Sequence, residues 1–137
     1  RTRDITRIIP GPCTCGSIMP RHSRIMGRTD DMFKFRAVNI YPSMIDTVIS
    51  GIEGMGSEYQ VHLSRDESER GIMRIIVELG ETTPAEQSRA LAAEMVHRIK
   101  KQLFVTPTVE PVPYGSLPRT QSKSKRIFDT RIRDSII

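Results

Sequence analysis

The apolar residues change their spacing twice between Ile45 and Leu103, and those changes limit the fold more than any other feature. Ile45, Val48, Ile49 and Ile52 recur at i, i+3, i+4 and i+7, which places one apolar stripe on a helix. Pro42 suits its first turn, where the missing N–H would find no partner anyway. Gly51 and Gly54 end it. Tyr59, Val61 and Leu63 then alternate with Gln60, His62 and Ser64, the period of a half-buried strand. A charged stretch over residues 65–71 reads as a hairpin loop, and residues 72–79, rich in β-branched side chains, as the strongest strand. Helical spacing returns after Gly80. Thr83, Pro84 and Glu86 predict a capping box, and Ala92, Met95, Val96, Ile99 and Leu103 mark the buried face behind it.

The flanking segments are short and extended. Phe33 and Phe35 alternate with Met32, Lys34 and Arg36, and residues 38–41 form a second extended piece. Residues 105–112 carry Pro107 and Pro111, with Pro113 just beyond; proline cannot donate to a ladder, so this strand belongs at an edge. From residue 38 the order is strand, helix, strand, strand, helix, strand. The chain therefore reads as α+β, with a ferredoxin-like βαββαβ domain preceded by a short hinge and β-hairpin. Residues 1–27, rich in Arg, Pro and Gly, read as largely irregular, with a short strand at 24–26 and a turn from Gly27 to Asp31. A further short strand is expected near 126–128.

Composition adds bounds. With 137 residues, 37% hydrophobic and no Trp, the chain has material for one modest core of Ile, Val, Leu and Met. No run of about 18 apolar residues predicts a membrane helix, and no signal-like start argues for export. The net charge of +5 suits an anionic partner, but the basic tail carries only Phe128 as a stacking aromatic, which argues against nucleic acid. Two cysteines do not make a disulfide framework, so a cytoplasmic setting is expected. The start at Arg1, without Met, reads as the middle of a longer chain.

Four segments carry a resemblance. Arg1-Thr2-Arg3-Asp4 resembles the Y-R-T-x-D segment that closes a large adenylating domain. Gly27-Arg28-Thr29-Asp30-Asp31-Met32 is similar to a hinge motif, and Arg36-Ala37-Val38-Asn39-Ile40-Tyr41-Pro42-Ser43 to R-G-V-N-V-F-P-S. Leu117-Pro118-Arg119-Thr120, with Lys123 and Lys125-Arg126-Ile127-Phe128-Asp129, resembles a C-terminal lysine motif. In this order the chain resembles the adenylate-forming acyl-CoA synthetases, most closely their phenylacetate-CoA ligase branch. The resemblance implies that residues 1–27 are the end of the N-terminal adenylation domain and its linker, and that residues 28–137 are the C-terminal lid.

It also implies the chemistry. A carboxylate attacks the α-phosphate of ATP, as its Mg2+ complex, to give an acyl-adenylate and diphosphate. CoA then takes the acyl group and releases AMP. Asp4 is implied to hold the ribose hydroxyls, which a carboxylate accepts from as a pair, and Arg28 to contact the nucleotide. Asp30 is implied to be the hinge, and Arg36 and Ala37 to line the path to CoA, with Ala37 where the family usually has Gly. Lys123 is implied to be the catalytic lysine, a cation that offsets charge developing in the transition state; Lys125 competes with it, and Ser122 replaces the usual Gly before it. Cys13 and Cys15, with His22 nearby, suit zinc. In relatives a C-x-C joins a Cys and a His of the large domain, so zinc is an expectation for the full-length protein. His62 and His97 read as surface or structural residues.

The expected partners are thus ATP/AMP, CoA, an aryl carboxylate and the chain's own N-terminal domain, with a homodimer left open and neither nucleic acid nor membrane. The fragment alone is expected to be inactive. Two rivals stand beside this reading: a CoA ligase for another aryl or cyclic carboxylate, and a free-standing ferredoxin-like regulatory or binding module.

Overall fold

A computed structural model describes residues 2–29, 31–119 and 126–131. Four short strands open the chain: β1 (Asp4–Ile5), β2 (Ile8–Ile9), β3 (Arg21–His22) and β4 (Gly27–Arg28). They form two nested antiparallel pairs, β2 with β3 and, outside them, β1 with β4. The segment is therefore an irregular hairpin rather than a strand at 24–26 followed by a turn. The expected turn residues Gly27 and Arg28 are strand partners of Ile5 and Asp4, because the Arg3–Asp4 backbone supplies them with a ladder that a local reading does not show. The Thr29 N–H extends it, donating to the Arg3 carbonyl at 2.9 Å.

Next come β5 (Phe33–Phe35) and β6 (Val38–Ile40), joined by two residues, then α1 (Pro42–Ser50). Pro42 occupies the first turn as predicted. The helix ends at Gly51, whose carbonyl accepts from Arg98 Nη1 at 2.7 Å. β7 (Met55–Arg65) and β8 (Gly71–Leu79) make a long antiparallel hairpin. A 3-10 turn (Ala85–Gln87) leads into α2 (Ser88–Leu103), followed by β9 (Thr108–Val112) and β10 (Ile127–Asp129).

The main sheet has the order β10-β7-β8-β9. β9 lies at the edge, parallel to β8, with Pro111 opposite Val77. That agrees with its prolines. β10, the short strand expected near the end of the chain, pairs parallel with β7. The strand and helix order from residue 38 is as predicted, but the sheet differs from a ferredoxin-like one. Among the described residues β6 pairs with β5 alone, and β9 pairs directly with β8, where a ferredoxin-like sheet would set β6 between them. β6 has three residues and is tied to β5 by a tight turn, so local pairing takes its hydrogen bonds first. Among the described residues the fold is a mixed α+β domain with two α-helices and several small sheets.

One core joins the layers. Tyr59, Val61 and Leu63 of β7 and Met73, Ile75 and Val77 of β8 share one sheet face, and both helices cover it with Ile45, Val48, Ile49, Met95, Ile99 and Leu103. Phe33, Phe35 and Ile40 close one end. The predicted capping box does not form. Thr83 Oγ1 donates to the Gly54 carbonyl at 2.9 Å, and the first turn of the predicted helix is the 3-10 turn, whose cap is Pro84. Tertiary contact to the α1–β7 connection outcompetes the local cap.

Exposed apolar side chains gather in the opening hairpin. Ile8, Ile9, Ile18, Met19, Ile25 and Met26 are all exposed, Ile18 almost completely, whereas the rest of the chain keeps its large apolar groups mostly inside.

Candidate functional site

The antiparallel register of β1 and β4 sets Asp4 opposite Arg28. Arg28 Nη1 lies 3.6 Å from Asp4 Oδ1, and Arg28 Nε lies 3.8 Å from Asp31 Oδ2. The two residues implied to hold nucleotide are thus side by side on one hairpin. All three side chains are partly open to solvent. Their spacing is that of loose ion pairs rather than tight hydrogen bonds. Asp30, the implied hinge, lies outside the described residues, directly between this hairpin and β5.

Arg36 and Ala37 form the two-residue turn between β5 and β6. Their φ values are 47° and 66°, both left-handed. That is the primed turn that fits the twist of a hairpin, and it favours Gly or Asn. The physical reason for Gly at this position in the family is therefore visible here, since Ala37 adopts a backbone that costs an L-residue about 1 kcal/mol. Ala37→Gly is expected to stabilise the fold by about 0.5–1 kcal/mol, a gain reduced by glycine's freedom in the unfolded chain; a shift of the urea midpoint to higher concentration at constant slope checks it. Arg36 Nη2 donates to the Gly71 carbonyl at 3.1 Å, and its guanidinium stands 5.4 Å from the Phe35 ring centre. The turn is thereby fastened to the start of β8.

Cys13 and Cys15 sit in a turn closed by the Gly16 N–H donating to the Cys13 carbonyl. Their sulfurs are 3.0 Å apart. The hydrogen bond from Cys15 holds the Cys13 thiol below its ordinary range. His22 does not join them. Its Nδ1 lies 2.6 Å from the Ser23 carbonyl oxygen and 3.3 Å from Thr6 Oγ1. Among the described residues no group of three or more His, Cys, Asp or Glu side chains is placed to hold a metal, so the zinc expectation draws no support from this chain.

Lys123 and Lys125 lie outside the described residues, but the residues on either side are well fastened. Before them, Arg119 Nη2 donates to Glu78 Oε2 at 2.7 Å, and its guanidinium stands 4.5 Å over the Tyr114 ring. Glu78 Oε1 accepts the Leu117 N–H at 2.7 Å. After them, Arg126 Nη1 donates to Asp46 Oδ1 at 2.6 Å, and its guanidinium lies 4.7 Å from the Tyr59 ring centre. The Arg126 carbonyl accepts the Val61 N–H at 2.7 Å. Burial, with the nearby Asp46 charge, raises the Tyr59 hydroxyl well above the usual phenol range, so it stays a neutral donor to the Pro42 carbonyl.

Sequence reasoning missed Glu78. The signal was a carboxylate inside the run Ile75-Ile76-Val77-Glu78-Leu79, where a buried charge demands a partner. It also did not foresee that β10 would set Phe128 against His62, with rings stacked at 4.8 Å and 10°.

Comparison with known proteins follows this geometry. A family model described as the AMP-binding enzyme C-terminal domain matches residues 37–131. The chain belongs to that family of AMP-binding enzyme C-terminal domains. Within it, the chain is 37% identical over 134 residues to a phenylacetate-coenzyme A ligase of Escherichia coli (strain K12), covering 96% of this chain and 30% of that protein. The chain thus spans about a third of the curated relatives it matches. Among solved structures, a domain of phenylacetate-coenzyme A ligase from Bacteroides vulgatus ATCC 8482 superposes with a TM-score of 0.64 at 33% identity, over 74% of this chain and 93% of that one. A 2-hydroxyisobutyryl-CoA ligase in its postadenylation state superposes with a TM-score of 0.79 at 34% identity, over 94% of this chain and 28% of that one. The same ligase in its thioesterification state gives 0.67, over 93% of this chain and 27% of that one.

Proposed function

We propose that this chain is the C-terminal part of an ATP-dependent, AMP-forming carboxylate–CoA ligase, with phenylacetate the leading acid. The observation that carries the reading is the match of nearly the whole chain to phenylacetate-coenzyme A ligases. Residues 1–27 would close the upstream adenylation domain and residues 28–137 would be the lid. The exposed Ile and Met side chains of the opening hairpin support this division, because a larger domain would bury them. The better superposition on a postadenylation state than on a thioesterification state supports a lid seated as in that ligase after adenylation.

In this reading Asp4 and Arg28 bind the ribose and phosphate of ATP, and their mutual pairing keeps both side chains oriented before nucleotide arrives. Lys123 offsets charge at the α-phosphate during adenylation. Rotation about Asp30 then brings the Arg36–Ala37 turn to the adenylate for attack by CoA, while the lid keeps water from the adenylate. The Ala37 methyl narrows the approach that Gly would leave. Zinc would need two further ligands from the upstream domain beside Cys13 and Cys15. A cytoplasmic location fits two reduced cysteines, and among the described residues no helix is long and apolar enough to cross a membrane. The α1 and α2 order retained from the ferredoxin-like pattern leaves a binding module as the second reading.

Carboxylate-dependent exchange of labelled pyrophosphate into ATP, by the intact ligase across a panel of aryl and alkyl acids, tests the proposal. Exchange peaking with phenylacetate is expected. A peak at another acid moves the substrate and keeps the reaction; no exchange with any acid, from folded protein, overturns the ligase reading.

A further inference from the structure

Glu78 is the one buried charged side chain among the described residues, and its exposure is 0%. A carboxylate is costly to bury, and a fold retains one where its partners fix something. Both its oxygens are engaged, one by the Leu117 N–H and one by Arg119, both within the segment that runs up to residue 120. β7 makes room for it. At Gly56 a side chain would meet the Leu79 carbonyl oxygen at 2.9 Å, the Glu78 carbonyl oxygen at 3.0 Å and Glu78 Cβ at 3.1 Å. On the other side of residues 120–125, Arg126 is held by Asp46 of α1 at 2.6 Å, by Glu58 of β7 at 3.9 Å, and by the face of Tyr59. Both residues that border the lysine segment are therefore arginines, each paired with a carboxylate of the core and each lying over an aromatic ring. An arginine held at once by a carboxylate and by a ring face is restrained in direction as well as in place.

We infer that Glu78 and Asp46 are positioning residues for adenylation: through Arg119 and Arg126 they fasten the two borders of the lysine segment to β8 and α1. This deepens the ligase reading and rests on it. Neither carboxylate touches substrate. Their effect is on how Arg119 and Arg126 are held, and misplacement of a catalytic group by about 1 Å costs up to about 100-fold in rate. Thioester formation does not use Lys123 and is spared.

The test uses the intact ligase with phenylacetate, or with the acid that wild type prefers. Glu78→Gln keeps the acceptor for the Leu117 N–H and removes the charge that holds Arg119. Asp46→Asn does the same for Arg126 at a half-exposed position where folding is safe. Each variant is expected to lower kcat for pyrophosphate exchange about 10–100-fold with KM for ATP within about twofold of wild type. Conversion of preformed phenylacetyl-adenylate and CoA to thioester is expected to stay near the wild-type rate. Glu78→Asp, whose shorter arm keeps the charge, is expected to recover part of the loss. Loss of both half-reactions in parallel would mark a merely structural role and overturn the inference, as would wild-type exchange in both variants. Should Glu78→Gln fail to fold, Asp46→Asn decides. Absence of exchange in wild type itself would instead overturn the ligase reading.

Discussion

Replacing Lys123 by alanine in the intact ligase is expected to lower carboxylate-dependent pyrophosphate exchange by about 100–1,000-fold, the range for removing one preorganised charge from a developing oxyanion. The reasoning runs from the chemistry. Attack of a carboxylate on the α-phosphate brings two anions together, and the barrier includes their repulsion. A single ammonium beside them acts mainly in the transition state, when negative charge builds up on the oxygens around the pentacoordinate phosphorus, so the loss falls on kcat more than on KM. Lys125→Ala, two residues on, is expected to leave exchange within a few-fold of wild type. A collapse in Lys125→Ala with normal exchange in Lys123→Ala would reverse the assignment. Thioester formation from preformed adenylate supplies the control, since a variant that loses both half-reactions has lost more than one cation.

The second large effect is on stability. Ile75→Ala is expected to cost about 2–5 kcal/mol. Ile75 is fully buried on β8, a strand flanked by β7 on one side and β9 on the other. It faces Val61 across the antiparallel ladder and Val109 across the parallel one. Its side chain lies in the cluster that binds both helices to the sheet, so truncation leaves a void that no single element can collapse into. A fall in the melting temperature of roughly 10 °C or more checks it. A fall below about 3 °C would mean that the helices settle onto the sheet more freely than a packed core permits. Ile76→Ala, next in sequence and on the opposite sheet face, is expected to cost much less, because its side chain is only partly buried.

These contrasts show what sequence patterning can carry. Ile45, Val48 and Ile49 and the alternation from Tyr59 to Leu63 name their own buried faces, because burial there follows directly from helix and strand period. The prolines placed β9 at an edge for a reason local to the residue. Pairing is different, since it depends on which distant strand arrives. Nothing within residues 38–40 says that they fold back on β5 while β9 pairs directly with β8. The same holds at the site. Asp4, Arg28, Arg36 and Ala37 are implied by resemblance alone, and the ladder that sets Asp4 against Arg28 joins residues far apart in sequence. Glu78 was passed over because its partner, Arg119, comes from a segment with no periodicity to anchor a reading. The left-handed backbone at Ala37 illustrates the reverse case, where a departure from the family pattern was visible first and the dihedral explained it.

The place of β10 has a consequence for damaged chains. The outward ladder of β7 is capped by residues 126–130: the Val61 N–H by the Arg126 carbonyl, and the Leu63 carbonyl by the Thr130 N–H. A nonsense change between residues 119 and 126 would remove that cover. What remains is a long strand with open backbone groups and a regular alternation, the kind of template on which a second chain can add itself. A truncated product would then be prone to self-association, and cellular quality control would meet it as an aggregation hazard.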